Sequence, residues 1–168
     1  MPDRPSKFAD GFTIAEALIA LAVVSILLAA VAVAFNASAI NYRENNDIFN
    51  AVNKARQALF RITTQLRTAD AVNPDLLSNE CSLITAGGDD ITYRYNSSAK
   101  KLYLITNDNA SDSDYVLCDN VTAMAFTKDI VTEGPQTKVK SVQISITVAA
   151  GDIQRMLSAA AVVRRNLK

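Results

Sequence analysis

Residues 11–35 read Gly-Phe-Thr-Ile-Ala-Glu-Ala-Leu-Ile-Ala-Leu-Ala-Val-Val-Ser-Ile-Leu-Leu-Ala-Ala-Val-Ala-Val-Ala-Phe. From Ala17 to Phe35 the only residue outside the apolar set is Ser25. As a helix, residues 12–35 rise about 36 Å at ~1.5 Å per residue, enough to cross a hydrocarbon core of about 30 Å. The segment therefore spans or anchors in a membrane. Glu16 is the misfit. A carboxylate at the bilayer centre costs roughly 3 kcal/mol on insertion scales, and less near the interface. It either has a partner or sits shallow, solvated among the headgroups.

Upstream, residues 1–11 (MPDRPSKFADG) are short and polar and end on Gly11. Gly11-Phe12-Thr13-Ile14-Ala15-Glu16, followed by an unbroken apolar helix, resembles the class III signal of type IV prepilins and type II secretion pseudopilins. The resemblance implies a prepilin peptidase that cuts between Gly11 and Phe12 on the cytoplasmic face. It then implies N-methylation of Phe12 and assigns Glu16 as the assembly carboxylate. The pairing has a physical reason. The cut creates a cationic amine at the apolar end of a helix, and a carboxylate on a neighbouring subunit makes both charges tolerable in a low-dielectric bundle. Val33 stands where many pilins carry a helix-kinking proline, so less bending is expected there.

A second processing site competes. Ala37-Ser38-Ala39 has the small-residue form of a secretory signal cleavage site. The apolar run before it is longer than the usual h-region, and Asp3 and Asp10 cancel the basic Arg4 and Lys7. Cleavage after Gly11 is the preferred reading; cleavage after Ala39 and no cleavage are the alternatives.

Downstream, Ile48, Val52, Ala55, Leu59, Ile62, Leu66 and Ala69 fall on one face of a continuing helix, with Asn50, Lys54, Arg56, Gln57, Arg61 and Arg67 between them. Asn73-Pro74 should end that helix, because the residue before proline avoids the α region. The stripe is expected to pack on the chain's own sheet; a seam to another subunit is the alternative. After Pro74 the period changes. Ile91–Tyr95 and Val142–Val148 alternate, and 81–86, 101–106, 114–118, 121–128 and 153–163 are further strand candidates. Gly87-Gly88-Asp89-Asp90, Asn96-Ser97-Ser98, Gly134-Pro135 and Gly151-Asp152 separate them.

The expected fold is thus α+β: a long N-terminal helix packed on a C-terminal antiparallel β-sheet that is wet on its other face. This is also the pilin-like architecture. Its parts are a leader over 1–11, a transmembrane and assembly helix over 12–35, an amphipathic continuation over 36–73 and a globular β-sheet domain over 74–168. J-type pseudopilins and W-type minor pilins resemble it further in ARQALFRITTQLRTA (55–69), DNVTAMAF (119–126) and VKSVQISITV (139–148) with VVRRN (162–166).

Two cysteines, Cys81 and Cys118, lie in the segment placed outside the cytoplasm. An even count in an oxidising compartment favours one disulfide, which would stabilise the fold by roughly 3–4 kcal/mol in the chain-entropy model. Two buried thiols that never meet are the alternative. The run Asn107–Asp114 is rich in oxygen ligands, and Asp108, Asp112 and Asp114 are where calcium would bind; without the glycine and terminal glutamate of an EF-hand loop, a solvated turn is the simpler reading. No cofactor is expected. Asn109-Ala110-Ser111 and Asn120-Val121-Thr122 fit the glycosylation sequon.

Function is bounded from the other side by what the composition lacks. There is no histidine, and Lys+Arg and Asp+Glu balance at 17 each. The commonest general acid/base is missing, and no global field draws nucleic acid. Lys100-Lys101, Lys138/Lys140 and Arg164-Arg165/Lys168 are modest basic clusters without interleaved aromatics, so nucleic acid is not an expected partner. The chain reads as a non-enzyme. The resemblance implies a minor pilin-like subunit of a type IV pilus, acting in filament initiation or the tip complex. It would sit as a single-pass protein in the inner membrane, its C-terminal domain periplasmic or extracellular, before joining a filament. Prepilin peptidase and other pilin subunits are the expected partners. A type II secretion minor pseudopilin supporting export is the nearest alternative. A single-span or secreted periplasmic binding domain with no filament role is the other.

Overall fold

The computed structural model describes residues 11–75, 77–108, 114–133 and 136–164. They divide into two compact units at Arg43/Glu44.

One helix, α1 (Ile14–Thr68), runs through both. In the first unit its side chains are exposed throughout, among them Ile14 at 82% and Phe35 at 76%. It is long and apolar enough there to cross a membrane. Its polar interruptions are satisfied within the helix: Ser25 Oγ donates to the Leu21 carbonyl (2.7 Å) and Ser38 Oγ to that of Ala34 (2.9 Å). Neither hydroxyl therefore asks for water in an apolar surrounding. The helix passes Val33 without interruption.

In the second unit the same helix becomes amphipathic. Ile48, Ala51, Ala55, Ala58, Leu59, Ile62 and Leu66 are buried. Val52, expected in the stripe, is only partly buried. Ala51 and Ala58, each 3% exposed, widen the buried face beyond the expected stripe. The stripe packs on the chain's own sheets.

The helix ends earlier than Asn73-Pro74 suggests. Thr68 Oγ1 donates to the Thr64 and Gln65 carbonyls, and the chain then turns so that Asp70 N donates to Ile84 O (2.9 Å) and Asn73 N to Ser82 O (3.0 Å). Residues 71–72 thereby become a short strand, β1 (Ala71–Val72). Tertiary pairing overrode local helix propensity here.

The strands form two sheets rather than one. The first joins β1 to β2 (Glu80–Ile84), β3 (Asp90–Asn96), β4 (Lys101–Thr106) and β5 (Tyr115–Cys118), in sequence order and antiparallel. The second is β6 (Val121–Glu133), β7 (Gln136–Ala150) and β8 (Ile153–Val162), also in order and antiparallel. The break falls at Asp119-Asn120, where Asn120 takes φ 57°, a left-handed conformation that asparagine tolerates. Val121 N to Lys100 O (3.0 Å), Phe126 N to Ser78 O and the Tyr95 hydroxyl to Val121 O tie the sheets together. β6 and β7 outrun the expected strands because both faces are largely exposed toward the β6–β7 turn, so alternation marks only part of their length. Gly134-Pro135 at that turn lies outside the described residues.

One core serves helix and sheets. Val142, Ile144, Ile146 and Val148 of β7 are fully buried, with Leu83, Tyr93 and Leu102 from the first sheet and Ile62 and Leu66 from α1. Tyr93 reaches the helix by donating its hydroxyl to Gln65 Oε1. Lys54 Nζ spans to both carboxylate oxygens of Asp119 at 3.0 Å. Half-exposed as this ion pair is, it contributes less than about 1 kcal/mol, and the apolar face does most of the holding.

The expected Cys81–Cys118 bond is corrected. Both residues are free, buried thiols. Cys81 is on β2 and Cys118 on β5, with β3 and β4 between them. Three strand spacings of about 4.8 Å hold them far beyond the ~7 Å Cα reach of a disulfide. Burial pushes Cys81 up to about 11, with Lys128 opposing, and pushes Cys118 up to about 11, with Asp119 adding to the rise and Lys54 opposing. Burial also pushes Tyr93 up to about 12, against the pull of Arg61.

Two results are expected at alkaline pH. At pH 8 the native chain should resist alkylation at both thiols, and each should react once the chain is denatured; rapid labelling of the native chain would contradict their burial. For stability the sign is fixed by linkage. The unfolded thiols ionise near their ordinary value of 9.0 while the folded ones keep their protons. Their contribution is complete below about pH 9 and is lost as pH climbs towards 11. Denaturant melts at pH 8 and pH 10.5 should show a lower midpoint at the higher pH.

Candidate functional site

The helix start is built by two residues three apart. Thr13 accepts the first helical bond at its carbonyl, from Ala17 N (3.2 Å), which makes it the N-cap. Its Oγ1 accepts from Glu16 N (3.3 Å). Glu16 Oε2 in return accepts from Thr13 N (3.0 Å) and from Thr13 Oγ1 (2.9 Å). This reciprocal T-x-x-E arrangement is a capping box, which satisfies orphan donors at the helix N-terminus. The carboxylate also lies where the helix dipole favours negative charge. The misfit of the apolar run thus has a local partner, and the bonds to Thr13 all fall on Oε2. Sequence reasoning gave Thr13 no such role, although the spacing of a threonine and a glutamate three apart carried the signal.

Around this box the chain is open. Phe12 and Ile14 are more than four-fifths exposed. A Cβ built on Gly11 would meet nothing within 4 Å, so nothing in the described fold demands glycine there. The residues preceding Gly11, which form the rest of the expected leader, lie outside the described residues.

The remaining candidates are placed as follows. Asp112 and the sequon at Asn109 lie outside the described residues. Asp108 Oδ2 accepts from Asp90 N (2.7 Å), and Asn107 Nδ2 donates to Asp90 Oδ1 (2.8 Å) and Thr92 Oγ1 (2.9 Å). These bonds pin the end of β4 to the start of β3. Asp114 is exposed. Among the described residues no three His, Cys, Asp or Glu side chains are grouped to hold a metal. Asn120 sits in the β5–β6 turn, and its carbonyl accepts from Ala149 N (3.0 Å).

The class of chain these features describe is an exposed apolar helix, long and apolar enough to cross a membrane, that opens on an internally capped carboxylate and continues into an α+β body. Residues 7–32 match the family model described as the prokaryotic N-terminal methylation motif. This is the class III signal, and it is consistent with a type IV pilin-like protein. It supports a substrate of prepilin peptidase and a structural subunit. No curated protein and no solved structure matches the chain.

Proposed function

We propose that the chain is a minor pilin-like subunit of a type IV pilus. Prepilin peptidase cleaves it between Gly11 and Phe12 and methylates Phe12, and the subunit enters a filament through its N-terminal helix. It acts in filament initiation or in the tip complex, after residing as a single-pass inner-membrane protein with its C-terminal domain on the far side.

The observation that carries this reading is the Thr13–Glu16 box at the open start of the exposed, apolar first part of α1. The free space at Gly11 supports it: a glycine that the described residues do not need is explained by an enzyme that must approach the backbone closely. Capping leaves Oε1 of Glu16 to face a cation. The methylated amine of a neighbouring subunit's first residue supplies one, and pairing makes burial of both charges tolerable.

Mass spectrometry of the mature protein tests the processing. The expected N-terminus is N-methyl-Phe12. A chain beginning at Met1 or Ile40 would overturn the reading.

A further inference from the structure

The second sheet ends on a strand edge that nothing in the described fold covers. β7 and β8 pair without a bulge, from Ser141↔Val162 to Ala150↔Ile153. One step beyond, Val163 N donates to Lys140 O (3.0 Å), so that opposed pair is hydrogen-bonded. Antiparallel ladders alternate, so the odd-numbered residues of β8 bond to β7 and the even-numbered ones point their N–H and C=O away. Two bonds on the opposite side of β7 agree. Ala149 N donates to Asn120 O and Thr147 O accepts from Thr122 Oγ1, as expected of β7 residues that face away from β8. Gln154, Met156, Ser158, Ala160 and Val162 therefore present a row of outward backbone donors and acceptors, and all are exposed.

This edge lacks the usual protections. The edges of the first sheet, β1 and β5, are only 2 and 4 residues long. The outer edge of β6 is bonded to Ser78 and Lys100 and carries Lys128 and Asp129 further on. β8 has 10 residues, IQRMLSAAAV, with no proline and a single charge, Arg155. Long apolar edges without charge or proline are templates for another strand.

What the strand should carry is read from the adjoining groove. Asn45, Ile48, Phe49, Val52 and Arg56 of α1 line it with Arg155, Met156 and Leu157 of β8. Phe49 is 61% exposed and Met156 is 74% exposed. Among the described residues neither arginine has a carboxylate partner; Arg155 donates only to the edge carbonyl of Gln154 (3.5 Å). Two guanidiniums that meet no carboxylate among the described residues, set beside an apolar groove, call for one. A second copy of β8 cannot supply it, because that strand holds no acidic residue.

We infer that the outer edge of β8 is a docking site for an extended, acidic-apolar strand of a different polypeptide, added as a fourth strand to the second sheet. The inference is independent of N-terminal processing.

The test uses the full chain in detergent micelles and two synthetic ten-residue peptides. Both alternate threonine and valine; one carries a glutamate placed to face Arg155, the other a lysine there. The glutamate peptide should bind at least about tenfold tighter than the lysine peptide (about 1.4 kcal/mol). It should slow amide exchange at Met156, Ser158, Ala160 and Val162 while leaving the odd-numbered amides unchanged. Ala160→Pro removes an outward N–H but no bond to β7, so it should weaken binding about tenfold or more without shifting the melt. Should that variant fold poorly, Arg155→Glu reads the same point, by moving the preference towards the lysine peptide. Absence of even-numbered protection with either peptide, or a preference indifferent to residue 155, would overturn the site. Concentration-dependent protection of the edge by the chain alone would also overturn it, by making the occupant a second copy.

Discussion

Glu16→Gln is expected to leave the helix start intact and to cut incorporation into filaments roughly a hundredfold. The capping box separates two jobs of one side chain. Glutamine at the third helical position can still accept from the N-cap backbone, as Glu16 does from Thr13 N at 3.0 Å. It cannot neutralise an amine. If the proposed intersubunit pairing is correct, the variant leaves one charge buried alone, a loss of about 3 kcal/mol or more. Thr13→Ala is the complement. It removes the hydroxyl cap, worth about 1 kcal/mol, and keeps the charge, so incorporation should fall far less. Quantifying each variant in sheared filaments against its level in membranes decides the matter. Equal incorporation of Glu16→Gln and wild type would confine Glu16 to capping.

Ile62→Ala should cost roughly 2–5 kcal/mol and lower the melting temperature by about 10 °C. Ile62 is 0% exposed and belongs to the cluster that joins α1 to residues of both sheets. Truncation opens a cavity that neither sheet can close without moving its ladder. Two residues earlier, Phe60 is 75% exposed, and Phe60→Ala should stay within about 0.5 kcal/mol despite removing a larger side chain. Thermal melts of the two variants read the difference directly. Similar losses would mean that the helix face is assigned wrongly.

The parts of the fold that follow from local periodicity were legible. Seven apolar positions at alternating spacings of four and three pointed at the sheet-facing side of α1, and all but Val52 are buried there or in the turn that follows. The seven strand candidates recur as β2 to β8, because each alternates or is bounded by turn residues. Three features were not legible. β1 exists only because Ala71 and Val72 find Ile84 and Leu83 as partners. The split into two sheets, which falls at the left-handed Asn120, depends on which strands pair, and local composition does not reveal that. The separation of Cys81 from Cys118 depends on strand order, whereas a count of two cysteines suggested a bond.

The amino-acid sequence by itself determined the membrane-length apolar run, the methylation motif, the α+β class and the face that the helix buries. Each is written in composition or in a period within a short window, where chemistry and spacing suffice. Tertiary structure alone decided which strands are neighbours, where the sheet divides, that the thiols stay apart and that β8 keeps an open edge. Strand pairing joins residues far apart in the chain, and alternation says which face a residue takes but not whose backbone lies beside it.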